Sequence, residues 1–200
     1  MTTRGLSRGR YNCAIGSRLV DEAPQTCLGL LGETALVLVV HRTQRLLERV
    51  GRPVPVPLDG TTLLGPWYAT MARWRRQTAL FVNEPTLLPV FLPLAPARSV
   101  LCRFPDALTE VLHRHGVPAD WIEQEVAEMS ACVTAKTANR RVVGIMNEFL
   151  FLAGVHRAEG DDVDLPMLSL ELARHPVQPA LPAARQPDRE LAALVSTHGH

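Results

Sequence analysis

Short apolar runs and helical stripes succeed one another along the chain. Ala35-Leu-Val-Leu-Val-Val40 is a continuous, valine-rich run, the pattern of a buried strand. Thr43 can cap a short helix over 44–50, where Leu46, Leu47 and Val50 fall at helical spacing before Gly51. Pro53-Val-Pro-Val-Pro57 with Asp59-Gly60 excludes a helix and reads as a loop. Residues 67–74 and 77–82 carry aromatic and β-branched side chains, the arms of a hairpin turning near Arg75-Arg76. Asn83-Glu84-Pro85 matches a helix start, with Leu87, Leu88 and Phe91 following and Pro93 and Pro96 closing the segment.

Helical periodicity is clearer further on. Ala107, Leu108, Val111, Leu112 and His115 form the apolar stripe of a helix over 105–115, which Gly116 ends. A second helix over 118–129 carries Trp121, Ile122, Glu125 and Met129 along one side, and the Gly-Val-Pro connector makes the two an αα-hairpin. Ala131-Cys-Val-Thr-Ala135 reads as a short strand or as the tail of that hairpin. The longest helix is expected near 139–156. Its Val142, Ile145, Met146, Phe149, Leu150, Leu152 and Ala153 leave little polar surface, the mark of a central, buried helix. After an acidic loop at Asp161–Asp164, 167–173 and 189–195 read as short peripheral helices around a proline-rich connection. The expected architecture is one α+β domain over 35–196, a small antiparallel sheet packed by helices on one side. Residues 1–34 lack periodicity and read as a loose N-terminal extension.

Composition bounds the function classes. With 46% hydrophobic and 20% charged residues the chain is of ordinary globular type, and its formal net charge of +1 gives no global case for nucleic acid or an anionic membrane. No apolar run is long enough to span a bilayer, and no signal-peptide pattern opens the chain, so a cytoplasmic location is expected. Cys13, Cys27, Cys102 and Cys132 form no C-x-x-C pair, which leaves zinc without spacing support and favours reduced thiols. His113 and His115, at i and i+2 of a helix, do not face one metal together. Neither a metal nor a cofactor is expected.

The most unusual stretch is Lys136-Thr-Ala-Asn-Arg-Arg-Val-Val-Gly-Ile-Met-Asn-Glu-Phe149, which holds the chain's one lysine. Together with Leu64-Gly-Pro-Trp-Tyr-Ala69 and Leu80-Phe-Val-Asn-Glu-Pro-Thr86, it resembles a bacterial domain family of unknown function. That family's marks are a Trp-x-Ala hairpin and a Lys-Thr-x-Asn-Arg-x-Val-x-Gly-x-Met-Asn block. The resemblance covers residues 36–175. It departs at Arg141, where a small polar residue is expected, and at Glu148, where Asp is common. It implies a domain boundary and a meaningful block, with no activity attached.

Read as chemistry, the block gathers ligand-type groups at a helix start. Lys136 and Thr137 precede unpaired helical N–H groups, a ready anion site. Arg140 and Arg141 oppose the helix dipole in the first turn, which is understandable if an anion sits there. Arg140, Gly144 and Asn147 share a face at i, i+4 and i+7. The candidate ligand-binding residues are thus Lys136, Thr137, Asn139, Arg140, Gly144 and Asn147. A structural reading competes with this: Thr137 or Asn139 caps the helix, Gly144 permits close packing against the hairpin, and Arg140 pairs with Glu84 or Glu125. Separately, Trp67, Tyr68 and Trp74 beside Arg73, Arg75 and Arg76 form an aromatic–basic set suited to stacking bases.

These features favour a binding or interaction module with an arginine-centred anion site, engaging a nucleic acid or protein partner. The alternative is an enzyme acting on a phosphorylated or nucleotide substrate, with Lys136 and Arg140 on phosphate and Glu84 or Glu148 as general base. A homodimer interface burying Gly144 and Asn147 is the third reading.

Overall fold

Five strands form one sheet: β1 (Val37–Arg42), β2 (Trp67–Ala72), β3 (Thr78–Asn83), β4 (Pro89–Pro93) and β5 (Ala131–Lys136). Their order is β4-β3-β2-β1-β5. The computed structural model describes residues 37–44, 46, 61–129, 131–137, 139–157, 163–178 and 184–198. Expectations for the N-terminal extension, for the helix over 47–50, for the proline loop at 51–60 and for Asp161-Asp162 lie outside those residues. Gln44 and Leu46 are helical. The architecture is α+β. Strands β2, β3 and β4 pair antiparallel, as an antiparallel sheet requires, while β1 lies parallel to both β2 and β5, so the sheet is mixed.

Five helices are described: α1 (Val100–Arg114), α2 (Ala119–Ala127), α3 (Arg140–Arg157), α4 (Leu165–Ala173) and α5 (Pro187–His198). They cover both faces of the sheet, where helices on one side were expected. Every residue of β2 and β3 is buried, because odd and even positions each meet a helical layer. Trp67, Ala69, Met71 and Phe81 pack with Phe104, Leu108 and Val111 of α1 and with Trp121 and Ile122 of α2. Tyr68, Leu80, Val82 and Phe91 pack with Val142, Ile145, Met146 and Phe149 of α3 and with Leu168 and Leu172 of α4. The helix α4 also shields the outer strand: the Phe91 N–H donates to Ser169 Oγ at 2.9 Å, capping an edge that would otherwise invite pairing.

The segment after Asn83 is a turn and then β4, not a helix. Asn83 caps nothing helical; fully buried, its Oδ1 accepts from Thr86 N–H and Thr86 Oγ1, while its Nδ2 donates to the Leu64 carbonyl. That clamp ties the β3–β4 turn to the loop before β2, and Leu87 takes a positive φ of 63° inside it. Buried on both faces, β4 lacks the alternation that marks a strand. The long helix expected near 139–156 is α3, Arg140–Arg157. One side packs on the sheet, but Phe151 is 72% exposed and Val155 56%. In addition, Cys102 is disulfide-bonded, where reduced thiols were expected, whereas Cys132 is free.

Candidate functional site

Polar groups stand on both faces of the sheet where β1 and β5 end. The two strands run parallel in register, Val40 beside Thr134 and Arg42 beside Lys136, so their carboxyl ends lie side by side. Helix α3 begins four residues after β5. In parallel sheets ligands favour this end, at points where strand order reverses. Here β1 has β2 on one side and β5 on the other, which is such a point.

On one face of the sheet stands Arg42. It is only 2% exposed, and its guanidinium donates to Thr134 Oγ1. Its Nε has no hydrogen-bond partner, and among the described residues no carboxylate forms an ion pair with it. Burial pulls its pKa below the ordinary arginine value, with the neighbouring Cys132 acting the other way. Arginine nevertheless stays charged in proteins. Burial also pushes the Cys132 thiol up to about 12, against the opposing pull of Arg42; at neutral pH that sulfur is not a nucleophile. The sequence signal for Arg42 was faint. It lay in His41-Arg42 closing an aliphatic strand, and only the pairing with β5 gives it meaning.

The opposite face holds a hydrogen-bonded chain. His41 stacks on Tyr68 with ring centroids 4.6 Å apart. The Asn139 N–H donates to Tyr68 Oη at 3.2 Å, and Asn139 Nδ2 donates to Glu84 Oε1 at 2.8 Å. Asn139 Oδ1 in turn accepts from the Arg141 N–H at 3.0 Å, the geometry of an N-cap. Asn139 therefore starts α3 and locks it to the ends of β2 and β3.

The six residues singled out from sequence divide into two groups. Lys136 closes β5, and half-buried Thr137 and Asn139 follow it, so these three belong to the strand-end junction. Arg140, Gly144 and Asn147 are all exposed, on the side of α3 turned away from the sheet. A Cβ at Gly144 would meet nothing within 4 Å, so this glycine serves no close packing among the described residues. Neither carboxylate considered for Arg140 is committed to it: Glu84 holds Asn139, and Glu125 accepts from the Leu64 N–H at 3.1 Å. Glu125 is fully buried, and burial raises its carboxyl pKa to about 7, partly opposed by the backbone donors of Leu64 and Leu63.

The aromatic–basic set does not form an open face. Trp67 is fully buried against Phe104, Tyr68 is 1% exposed, and Trp74 stacks on Phe91. Trp67 and Tyr68 are core and Trp74 is half-buried against it, so the three rings do not share one open face. A cavity of about 610 Å³ opens far from the junction, lined by His156, Val163, Leu168, Glu171, Arg174 and His175. Among the described residues no three His, Cys, Asp or Glu side chains are placed to hold a metal ion, and no helix is long and apolar enough to cross a membrane.

Over residues 39–190 the chain matches the family described as Domain of unknown function (DUF6933), and it belongs to that family. The match takes in the whole junction, from His41 and Arg42 through the block at 136–147. No curated protein and no solved structure matches the chain.

Proposed function

We propose that this member of the DUF6933 family is a binding module for a small phosphate-class anion, held at the joined ends of β1 and β5. The arginine at the centre of the site is Arg42, with Thr134 as a hydroxyl partner and the backbone of Lys136 in register with its own. The observation that carries this reading is a guanidinium 2% exposed, with an unpartnered Nε and no acid against it among the described residues. An ion buried without a counter-charge costs several kcal/mol, about 3–5 by the measured cost of breaking a buried pair. A bound anion offsets that cost, and the fork of the guanidinium suits phosphate oxygens in particular.

Binding is favoured over catalysis. Glu84, the carboxylate nearest the start of α3, accepts the amide of Asn139 and so positions the helix. Glu148 is exposed on the outward side of α3 and gives no enclosed base. So enclosed a guanidinium suits a small anion better than an extended nucleic-acid backbone.

Titration calorimetry with pyrophosphate and with a mononucleotide tests the proposal. Binding is expected to the parent protein and to Arg140→Ala, and to be lost in Arg42→Met. Absence of heat with every anion, or equal binding by Arg42→Met, overturns it.

A further inference from the structure

We infer that the outward side of α3 is a self-association surface, on which a second copy of this chain docks antiparallel with Gly144 at the two-fold axis. Arg140, Arg141, Gly144, Asn147, Glu148, Phe151 and Val155 are all exposed, and at 100° per residue they form one continuous stripe with Gly144 on its midline. This stripe is unlike a solvated helix face. Gly144 weakens the helix relative to alanine by about 1 kcal/mol, and among the described residues no packing offsets this. Phe151, 72% exposed, and Val155, 56% exposed, continue the stripe as an apolar patch.

Charge selects the occupant. Arg140 and Glu148 flank Gly144 by four residues on either side. A two-fold axis through Gly144 therefore sets Arg140 level with Glu148 of the partner subunit, and the same contact recurs on the other side of the axis. Arg141 comes level with Asn147 of the partner subunit by the same arithmetic. This is the residue-to-residue reciprocity an isologous interface requires. A parallel pairing would instead stack arginine on arginine. The glycine lets the two backbones approach, which brings Phe151 within reach of Arg140 of the partner subunit for cation–π contact. One helix pair is a small interface, so the dimer is expected to be weak and concentration-dependent.

The inference does not depend on the Arg42 site, which lies inside the sheet. Sedimentation equilibrium from micromolar to millimolar protein tests it. The parent chain is expected to dimerise reversibly. Arg140→Glu and Glu148→Arg, each alone, are expected to weaken association about tenfold or more, because each turns both cross-axis pairs into repulsions. Mixing these two variants one to one restores the heterodimer, since both pairs then join opposite charges. Circular dichroism of each variant confirms that the helix is intact. A parent chain that stays monomeric at every concentration overturns the inference, as does a dimer indifferent to the single reversals or a mixture that fails to recover.

Discussion

Two ionisable side chains are buried in the same half of this protein, and they escape their burial by different routes. Glu125 on α2 is fully enclosed, yet it has the Leu64 N–H to bind, and its carboxyl, raised to about 7, can take up a proton. Arg42 at the end of β1 is equally enclosed, and one threonine hydroxyl is its described partner. A guanidinium cannot shed its charge at any pH a protein survives. The acid can discharge itself and the base cannot, which is why we propose that an anion offsets the burial of Arg42. An arginine buried with no acid against it among the described residues is therefore more informative than the exposed arginines to which the sequence draws attention.

The largest test of this contrast concerns Glu125. Its folded-state pKa lies above the unfolded value, so the folded chain holds the proton more tightly and stability is greatest below about 4.5. That contribution is lost as pH rises through about 7. A shift of this size corresponds to roughly 3 kcal/mol across the window. Urea denaturation between pH 4 and 8 should show the decline in the parent chain and a much flatter profile in Glu125→Gln. An equally steep profile in the variant would assign the decline to other groups.

A smaller effect is expected at the junction itself. Asn139→Ala removes the cap of α3 and its link to Glu84, and should cost about 1–2 kcal/mol. If the junction is positioned by that link, anion affinity should fall in the same variant; stability lost with affinity unchanged would separate the helix start from the site. The smallest effect is of opposite sign. Gly144→Ala should stabilise the monomer by about 0.5–1 kcal/mol, because helix propensity improves and the new methyl meets nothing. Measured at low protein concentration, a loss of stability instead would mean that Gly144 is packed within the chain.

Much of the fold is legible in local pattern. The β2–β3 hairpin, the α1–α2 pair joined through Gly116 at a φ of 75°, and the long helix after Lys136 all follow from short-range periodicity and turn chemistry. What local pattern misleads on is burial from two sides. The strand β4 looks helical because both its faces are apolar, and Asn83-Glu84-Pro85 imitates a cap while Asn83 in fact clamps a turn. The helix α3 looks central because apolar residues nearly surround it; helical spacing sets Phe151 and Val155 on the side away from Val142, Ile145 and Phe149, and there they are exposed. The candidate site is harder still. Lys136, Thr137 and Asn139 are visible as an odd polar cluster, but Arg42 joins them through a parallel register spanning more than ninety positions. Such pairing leaves no mark on the sequence near either residue.

The most direct measurement is the stability of Arg42→Met, with and without phosphate or pyrophosphate, beside the parent chain. Methionine keeps the apolar stem while removing the buried charge, a change that is often neutral or stabilising. The account predicts that the variant is at least as stable as the parent without anion, and that only the parent gains melting temperature when anion is added. A variant clearly less stable than the parent, together with a parent whose melting temperature ignores both anions, would contradict it and make Arg42 part of the core alone.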